Sequence, residues 1–363
     1  MKRLVIETDR LAGNIEAVKK AVGDCTIIGV VKANGYGLGA VQYSQFLLGQ
    51  GVTMLACARL DEARELREAG IEAEILLLSP VSVPDYVGEV VELGLTAAIG
   101  SAESALALNT AAAERDVRVK AHLKIDTGFG RFGFLPEDVD KLITVCKSLT
   151  HVELSGIFSH LNVSFGDEKF CRTQFDAFCG VIDRLKQAGI NPALRHIANS
   201  CAALRFPDMR LDAVRIGSAF LGRLPIKNEW GLKKVGRFEA DIDEIRYLPK
   251  GHFVGYANVY KTPRPTRIAV VTAGAADGLA LQKGKDAYRM RDRLRYLWND
   301  FKFLLRPGKL ACTVQGKRAM VLGRVGLTHT VIELGNIPAG AGDVATFQVN
   351  PLYIDSSVER VYE

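Results

Sequence analysis

The sequence predicts an α/β chain: a (β/α)8 TIM-type barrel over residues 1–233, then a C-terminal all-β domain with an inserted helix over residues 234–363. Three observations predict it. Eight short apolar, β-branched runs lie between residues 27 and 216, mostly separated by one amphipathic helical pattern each. Strands joined in that way pair in parallel through right-handed crossovers, and eight of them close a barrel. Polar and charged residues fall just beyond these runs, at the strand C-termini where such barrels place their chemistry. After about Lys234 the texture changes to β-branched runs broken by Gly and Pro, which marks a separate β domain.

Taken in order, Leu4-Val5-Ile6 reads as a strand, and Thr8 caps a helix in which Leu11, Ile15, Val18 and Val22 recur at helical spacing until Gly23. The eight barrel strands are expected at 27–31, 54–58, 75–78, 96–99, 119–125, 154–159, 194–197 and 213–216. Helical patterns fall at 61–69, 85–93, 102–115, 136–149 and 168–188, the first two stopped by Gly70 and Gly94. In the β domain, strands are expected at 253–256, 267–272, 311–314, 319–325, 330–334 and 344–349. Residues 285–305 alternate apolar and basic residues at helical spacing. That pattern predicts an amphipathic helix packed on its own domain or on a partner subunit, with a lid over a site as the other reading.

Composition narrows the function. With 48% apolar and 24% charged residues, the 363-residue chain can build a sizeable core. No apolar run approaches the roughly 20 residues that span a bilayer, and Met1-Lys2-Arg3 does not lead into a signal peptide's apolar segment, so a cytoplasmic protein without a membrane partner is expected. The seven cysteines are odd in number, scattered and without a C-x-x-C pair, so neither a disulfide framework nor a metal site is expected. A net charge of +6 with no basic tail gives no reason to expect nucleic acid, while an anionic small molecule suits it.

The most informative stretch is Val30-Val31-Lys32-Ala33-Asn34-Gly35-Tyr36-Gly37-Leu38-Gly39. A buried strand here delivers one lysine onto a turn with three glycines in five residues. Desolvation lowers an ammonium pKa and frees the amine as a nucleophile, for which a Schiff base with a carbonyl cofactor is the natural use. The other reading is a strand-end lysine beside an ordinary glycine turn. If the strands close a barrel, Lys32 meets Lys124, Asp126, Arg131, His160, His196, Asn199, Ser200, Arg215 and Gly217 at one face.

These residues resemble the alanine racemase family, fold-type III pyridoxal 5'-phosphate enzymes, over nearly the whole chain. Val31-Lys32-Ala33-Asn34-Gly35-Tyr36-Gly37 is similar to the family's cofactor-lysine motif, and 122–133 is similar to its segment bearing a carboxylate-binding arginine. The resemblance implies that Arg131 grips the substrate α-carboxylate and that Lys124 carries a carbamate. It also implies that His196, Asn199, Ser200, Gly217, Ser218 and Tyr36 bind the cofactor, and that Arg215 bonds its pyridine nitrogen. An arginine can only donate there, which leaves the ring a weak electron sink and suits racemisation.

The β domain departs from the pattern. Ala275 stands where the family has a tyrosine that serves as second base from the neighbouring subunit, and Gly326-Leu327-Thr328 replaces the usual Cys-Met-Asp. The first reading is therefore an amino-acid racemase or epimerase. Lys32 is its base and His160 its substitute proton carrier, unless His160 only completes a strand-end hydrogen bond. Tyr256, Thr328 and His329 are weaker stand-ins. The second reading is a lyase using the space opened at Ala275 and Leu327, and the third is a cofactor-binding protein without turnover. A small amino-acid substrate and a head-to-tail homodimer with shared active sites are implied by the family.

Overall fold

The computed structural model describes residues 1–281, 284, 288–305 and 310–363. The chain forms two compact units, Thr8–Val235 and a second made of Met1–Glu7 with Gly236–Glu363.

Strand β1 (Lys2–Ile6) belongs to the second unit. The first unit opens with the helix Thr8–Val22, which buries Leu11, Ile15, Val18 and Val22. Eight strands follow: β2 (Thr26–Val30), β3 (Met54–Cys57), β4 (Glu74–Leu77), β5 (Ala97–Ile99), β6 (Val119–Lys124), β7 (Val152–Phe158), β8 (Leu194–His196) and β9 (Ala213–Ile216). They pair in parallel as two four-stranded sheets, ordered β4-β3-β2-β9 and β5-β6-β7-β8. Single bridges join the sheets at both seams, Leu76 to Thr96 and Asn199 to Arg215. The strands' apolar residues are buried because helices cover the sheets, and Ile28, Val30, Met54, Ala56, Leu76 and Ala213 cluster across four adjacent strands. Burying each large aliphatic side chain contributes about 1.5–3 kcal/mol.

Helices start where short polar side chains accept orphan N–H groups. Ser101 Oγ accepts from Ser104 N at 3.1 Å, and Asp167 Oδ1 accepts from Phe170 N at 2.9 Å.

The second unit is organised by a long strand, β10 (Arg237–Leu248). Its irregularity between Ile242 and Glu244 lets the first half pair with β1 and the second half with β13 (Thr266–Val271). A small hairpin, β11 (Phe253–Val254) with β12 (Tyr260–Lys261), precedes β13. The remaining strands are β14 (Ala311–Val314), β15 (Lys317–Val321), β16 (Thr330–Glu333), β17 (Val344–Gln348) and β18 (Glu359–Tyr362), giving the order β13-β16-β15-β14-β17-β10-β1-β18.

Beyond strands β10, β12 and β18, which lie outside the expected set, the structure corrects two expectations. The first strand leaves the expected 1–233 span: β1 runs antiparallel to β10 and parallel to β18, with Leu4, Val5 and Ile6 buried. A strand followed by a helix says nothing about which sheet the strand will join. The inserted helix runs Met290–Leu305, while 285–287 of its expected span lie outside the described residues. Its apolar residues are exposed, so packing on its own domain is not what the structure has. Among the described residues no helix is long and apolar enough to cross a membrane.

Candidate active site

Strand β2 ends at Val30, Val31 N still donates to Ala56 O at 2.8 Å, and Lys32 follows. The chain then turns left-handed: φ is 54° at Ala33, 52° at Asn34, 61° at Gly35, 55° at Tyr36 and 87° at Gly37. Left-handed backbone costs roughly 1–2 kcal/mol at a residue with a Cβ, so Ala33 and Tyr36 must be held in place. Glu62 Oε1 accepts from Ala33 N at 2.6 Å, and its other oxygen accepts from Ala58 N at 2.9 Å and Arg59 N at 3.1 Å. One buried carboxylate thus clamps the turn after β2 to the segment after β3. Asn34 Oδ1, accepting from Ala40 N at 2.8 Å, ties the turn to the next helix.

Beyond these strand ends lies a cavity of about 330 Å³. Its lining carries Lys32, Lys124, Arg131 and Arg215, and no Asp or Glu. Burial, then the neighbouring charges of Arg131 and Arg215, lower the Lys32 pKa from its ordinary value against a weaker pull from Glu62. Burial also pushes Lys124 down to about 7, helped by Arg215 and Arg131. Its Nζ sits 4.2 Å from the centroid of the Phe158 ring. A pocket that gathers cations without carboxylates is built for an anion.

Arg215 is buried and held in place from one side. Its Nη1 donates to His196 Nδ1 at 2.6 Å, and its Nη2 donates to Ser159 O at 2.6 Å and to His160 Nδ1 at 3.3 Å. Because a guanidinium only donates, His196 carries its proton on Nε2 and passes a 2.9 Å hydrogen bond to His122 Nδ1. Burial moves Arg215 down to about 10, and it stays charged at neutral pH. Burial and the Arg215 charge hold His196 well below the usual imidazole range, so the relay is neutral apart from the arginine. The Arg215 Nε has no protein partner among the described residues.

Ser200, Gly217, Ser218, Asn199 and Tyr36 line one side. Ser200 Oγ accepts from Gly217 N at 3.1 Å and Ala219 N at 3.3 Å, leaving its own proton to donate. A Cβ on Gly217 would lie 2.5 Å from the Tyr36 hydroxyl, so only glycine admits that ring. Burial, with Glu62 second, pushes the Tyr36 phenol up to about 12 and keeps it a donor. Asn199 spends its side-chain oxygen capping the helix Ser200–Arg205, through Cys201 N at 3.1 Å and Ala202 N at 3.2 Å.

Arg131 stands on a loop wound round Asp126. The Asp126 carboxylate accepts from Gly128 N, Phe129 N, Gly130 N and Arg131 N at 2.7–3.1 Å. Burial would raise its pKa, but these four donors outweigh it and hold the carboxyl below the usual range. The Arg131 guanidinium rests 4.4 Å from the Phe129 ring centroid, and that ring meets His160 edge-on at 5.3 Å.

Of the residues expected at the site, Lys32, Tyr36, Lys124, Arg131, His160, Asn199, Ser200, Arg215, Gly217 and Ser218 line this one cavity. His196, expected to touch a cofactor, is fully buried behind Arg215 and acts on that arginine. Glu62 and Phe158 were missed. Phe158 precedes the expected His160 at the strand end, but nothing in the sequence marks a phenylalanine as a seat for Lys124. Ala275 and Leu327 lie in the second unit, where Ala275 N donates to Gly326 O and Ala276 N to Leu327 O, both at 2.9 Å.

A parallel α/β unit that presents a desolvated lysine to a carboxylate-free cationic cavity defines a class: enzymes that use an amine on an anionic carbonyl compound. The family follows from comparison with known proteins. Residues 6–225 match the alanine racemase N-terminal domain and residues 235–356 the alanine racemase C-terminal domain. The alanine racemase of Desulforamulus reducens is 35% identical over 340 residues, covering 92% of this chain and 85% of that one. The alanine racemase of Clostridium tetani is 36% identical over 281 residues, covering 75% and 72%. Among solved structures, alanine racemase of Clostridium difficile 630 superposes with a TM-score of 0.87 at 26% identity, covering 100% of this chain and 95% of that one. The chain belongs to the alanine racemase family.

Enzymes of this family use pyridoxal 5'-phosphate, and the residues present fit it. A phosphate dianion needs donors without opposing carboxylates, which the Ser200 hydroxyl, the Tyr36 phenol and the backbone beside Gly217 supply. An aldehyde needs an amine, and burial lowers the pKa of the one at Lys32.

Proposed function

We propose that the chain is a pyridoxal 5'-phosphate-dependent racemase acting on alanine or another small amino acid. The observation that carries this is the desolvated Lys32 amine facing a cavity with three further cations and no carboxylate. Its relatives are named alanine racemases, which favours this reading over a lyase or a cofactor carrier. We read the eight parallel strands as a closed (β/α)8 barrel because single bridges join both seams. We also propose a cytoplasmic head-to-tail homodimer.

When bound, the cofactor supplies the carbonyl and the electron-accepting ring that acidify a substrate's α-proton. Lys32 takes and returns that proton at Nζ on one face. Arg131 holds the substrate carboxylate through its fork, its plane fixed by Phe129. Arg215 is anchored from behind by Ser159 O and His196, so its Nε is the group left to donate to a ring nitrogen. Lys124 has the neutral amine fraction that a carbamate requires.

On the opposite face, His160 has a constrained part. Its Nδ1 accepts from Arg215, so the ring proton is on Nε2, and burial followed by the Arg215 charge keeps the ring from taking a second. His160 therefore acts as a neutral donor or through a water rather than as a strong base.

The test is incubation of cofactor-loaded protein with L- and D-amino acids in heavy water, followed by chiral separation and mass analysis. Deuterium entering both enantiomers of alanine is the expected result. Label in one hand only, or release of glycine and an aldehyde, would replace racemisation by one-base or lyase chemistry.

A further inference from the structure

Three rings pack together on successive strands of one sheet: His122 on β6, Phe158 at the end of β7 and His196 at the end of β8. His196 stacks on Phe158 with centroids 5.1 Å apart and planes 2° apart, and His122 lies edge-on to both, 5.1 Å from His196 and 6.4 Å from Phe158. His122 is only 1% exposed. Parallel strands covered by helices ordinarily bury branched apolar side chains, so a buried imidazole without a charged partner needs a physical reason.

The backbone is built to admit this ring. Where β6 and β7 pair, Ala121 faces Leu154 but His122 faces Gly156, so β7 carries one extra residue and the bulge brings a glycine opposite the imidazole. A Cβ on Gly156 would lie 2.5 Å from His122 Nε2 and 2.6 Å from Cδ2. Only glycine leaves room for the ring.

Counting protons shows what the ring does there. Arg215 Nη1 donates to His196 Nδ1, so that nitrogen offers a lone pair. An imidazole accepting at both nitrogens would be an anion, so His196 Nε2 bears the proton and gives it to His122 Nδ1 at 2.9 Å. His122 Nδ1 is therefore an acceptor. Burial pushes His122 down to about 4 against an upward pull from Glu74, which keeps that lone pair free at neutral pH. Without it, the His196 Nε2–H is buried with no acceptor, and moving its proton to Nδ1 sets that N–H against the arginine's own donor.

We propose that His122 is a positioning residue: as the terminal acceptor it locks His196 in the tautomer that anchors Arg215, and thereby fixes the aim of the Arg215 Nε. Its consequence for turnover rests on the racemase reading, while its geometry does not.

The test compares His122→Asn with His122→Leu. The Asn side-chain oxygen restores an acceptor near the place of Nδ1 but loses volume, whereas Leu nearly keeps the volume and removes the acceptor. Nitrogen-15 NMR of the cofactor-free protein reads the tautomer: His196 is expected protonated at Nε2 in the wild type and in His122→Asn, with that pattern lost in His122→Leu. In the loaded enzyme, His122→Leu should lower kcat for alanine about tenfold with KM within about twofold, because Arg131 stands on another loop, and His122→Asn should recover most of the loss. A wild-type His196 protonated at Nδ1 overturns the proposal without any variant. So does a His122→Asn variant that loses more than His122→Leu, which would leave the ring a space-filling role. If the wild type does not racemise alanine, the enzymatic reading falls and the tautomer pattern alone decides the role of His122.

Discussion

The cavity and the inserted helix hold the same kinds of cation and use them oppositely. In the cavity, Lys32, Lys124 and Arg215 are desolvated with no carboxylate in the lining, and Lys124 falls to about 7. On the helix, Arg291, Arg293, Arg295 and Lys302 lie exposed beside an apolar stripe, Arg295 pairing with Asp292 at 3.0 Å. Burial makes a lysine amine available for chemistry, and exposure leaves its stem to cover apolar surface, as Lys302 does over Trp298. Strand β8 repeats the contrast within two residues. Arg195 is given Asp212 at 2.6 Å, while His196 next to it serves Arg215, which receives carbonyls and imidazoles only.

The largest effect should follow from removing the buried charge that other groups depend on. Arg215→Leu leaves Ser159 O and His196 Nδ1 without a donor in the interior, so unfolding in urea should show a loss of about 2–6 kcal/mol, roughly 1–3 for each orphaned acceptor. A loss under 1 kcal/mol would mean that the relay does not hold the strand ends. Next, Glu62→Gln keeps the shape of the clamp but turns one acceptor oxygen into a donor facing backbone N–H groups. It should cost about 1–3 kcal/mol and reduce racemisation more than cofactor binding.

Lys124 gives a prediction with a sign. Its folded pKa, about 7, lies below the unfolded value near 10.4, so between those limits the unfolded chain binds more protons and stability rises with pH. Below pH 7 the burial penalty is fully present. Lys124→Met should therefore stabilise the protein by on the order of 1–4 kcal/mol at pH 6, with the gain vanishing towards pH 10.5. Thermal unfolding across that range measures it; a gain that grows with pH would contradict the assignment. The smallest effect is expected on the helix, where Leu297→Glu should change the free energy of unfolding by no more than about 0.5 kcal/mol.

Much of this was legible in the residues. The eight strand positions followed from alternation, Lys32 from its place directly after a β-branched run, and Lys124, Arg131 and Arg215 from lying at or beyond strand ends and from the family resemblance. Strands β10 and β18 were missed. In β10 the buried Phe238, Ala240 and Ile242 alternate with charges, but Asp243, Glu244 and Arg246 crowd the second half and hide the period. Glu62 was illegible for another reason: its N–H partners at Ala33, Ala58 and Arg59 come from two strand ends, a meeting that only the folded chain creates.

Two lysines, Lys32 and Lys124, line one cavity, and which of them carries the cofactor decides the chemistry. Borohydride reduction of the cofactor-loaded protein, followed by proteolysis and mass spectrometry, reads this directly. The added mass is expected on the peptide containing Lys32, and its absence in Lys32→Ala. Mass on the Lys124 peptide, or none on either, would contradict the assignment.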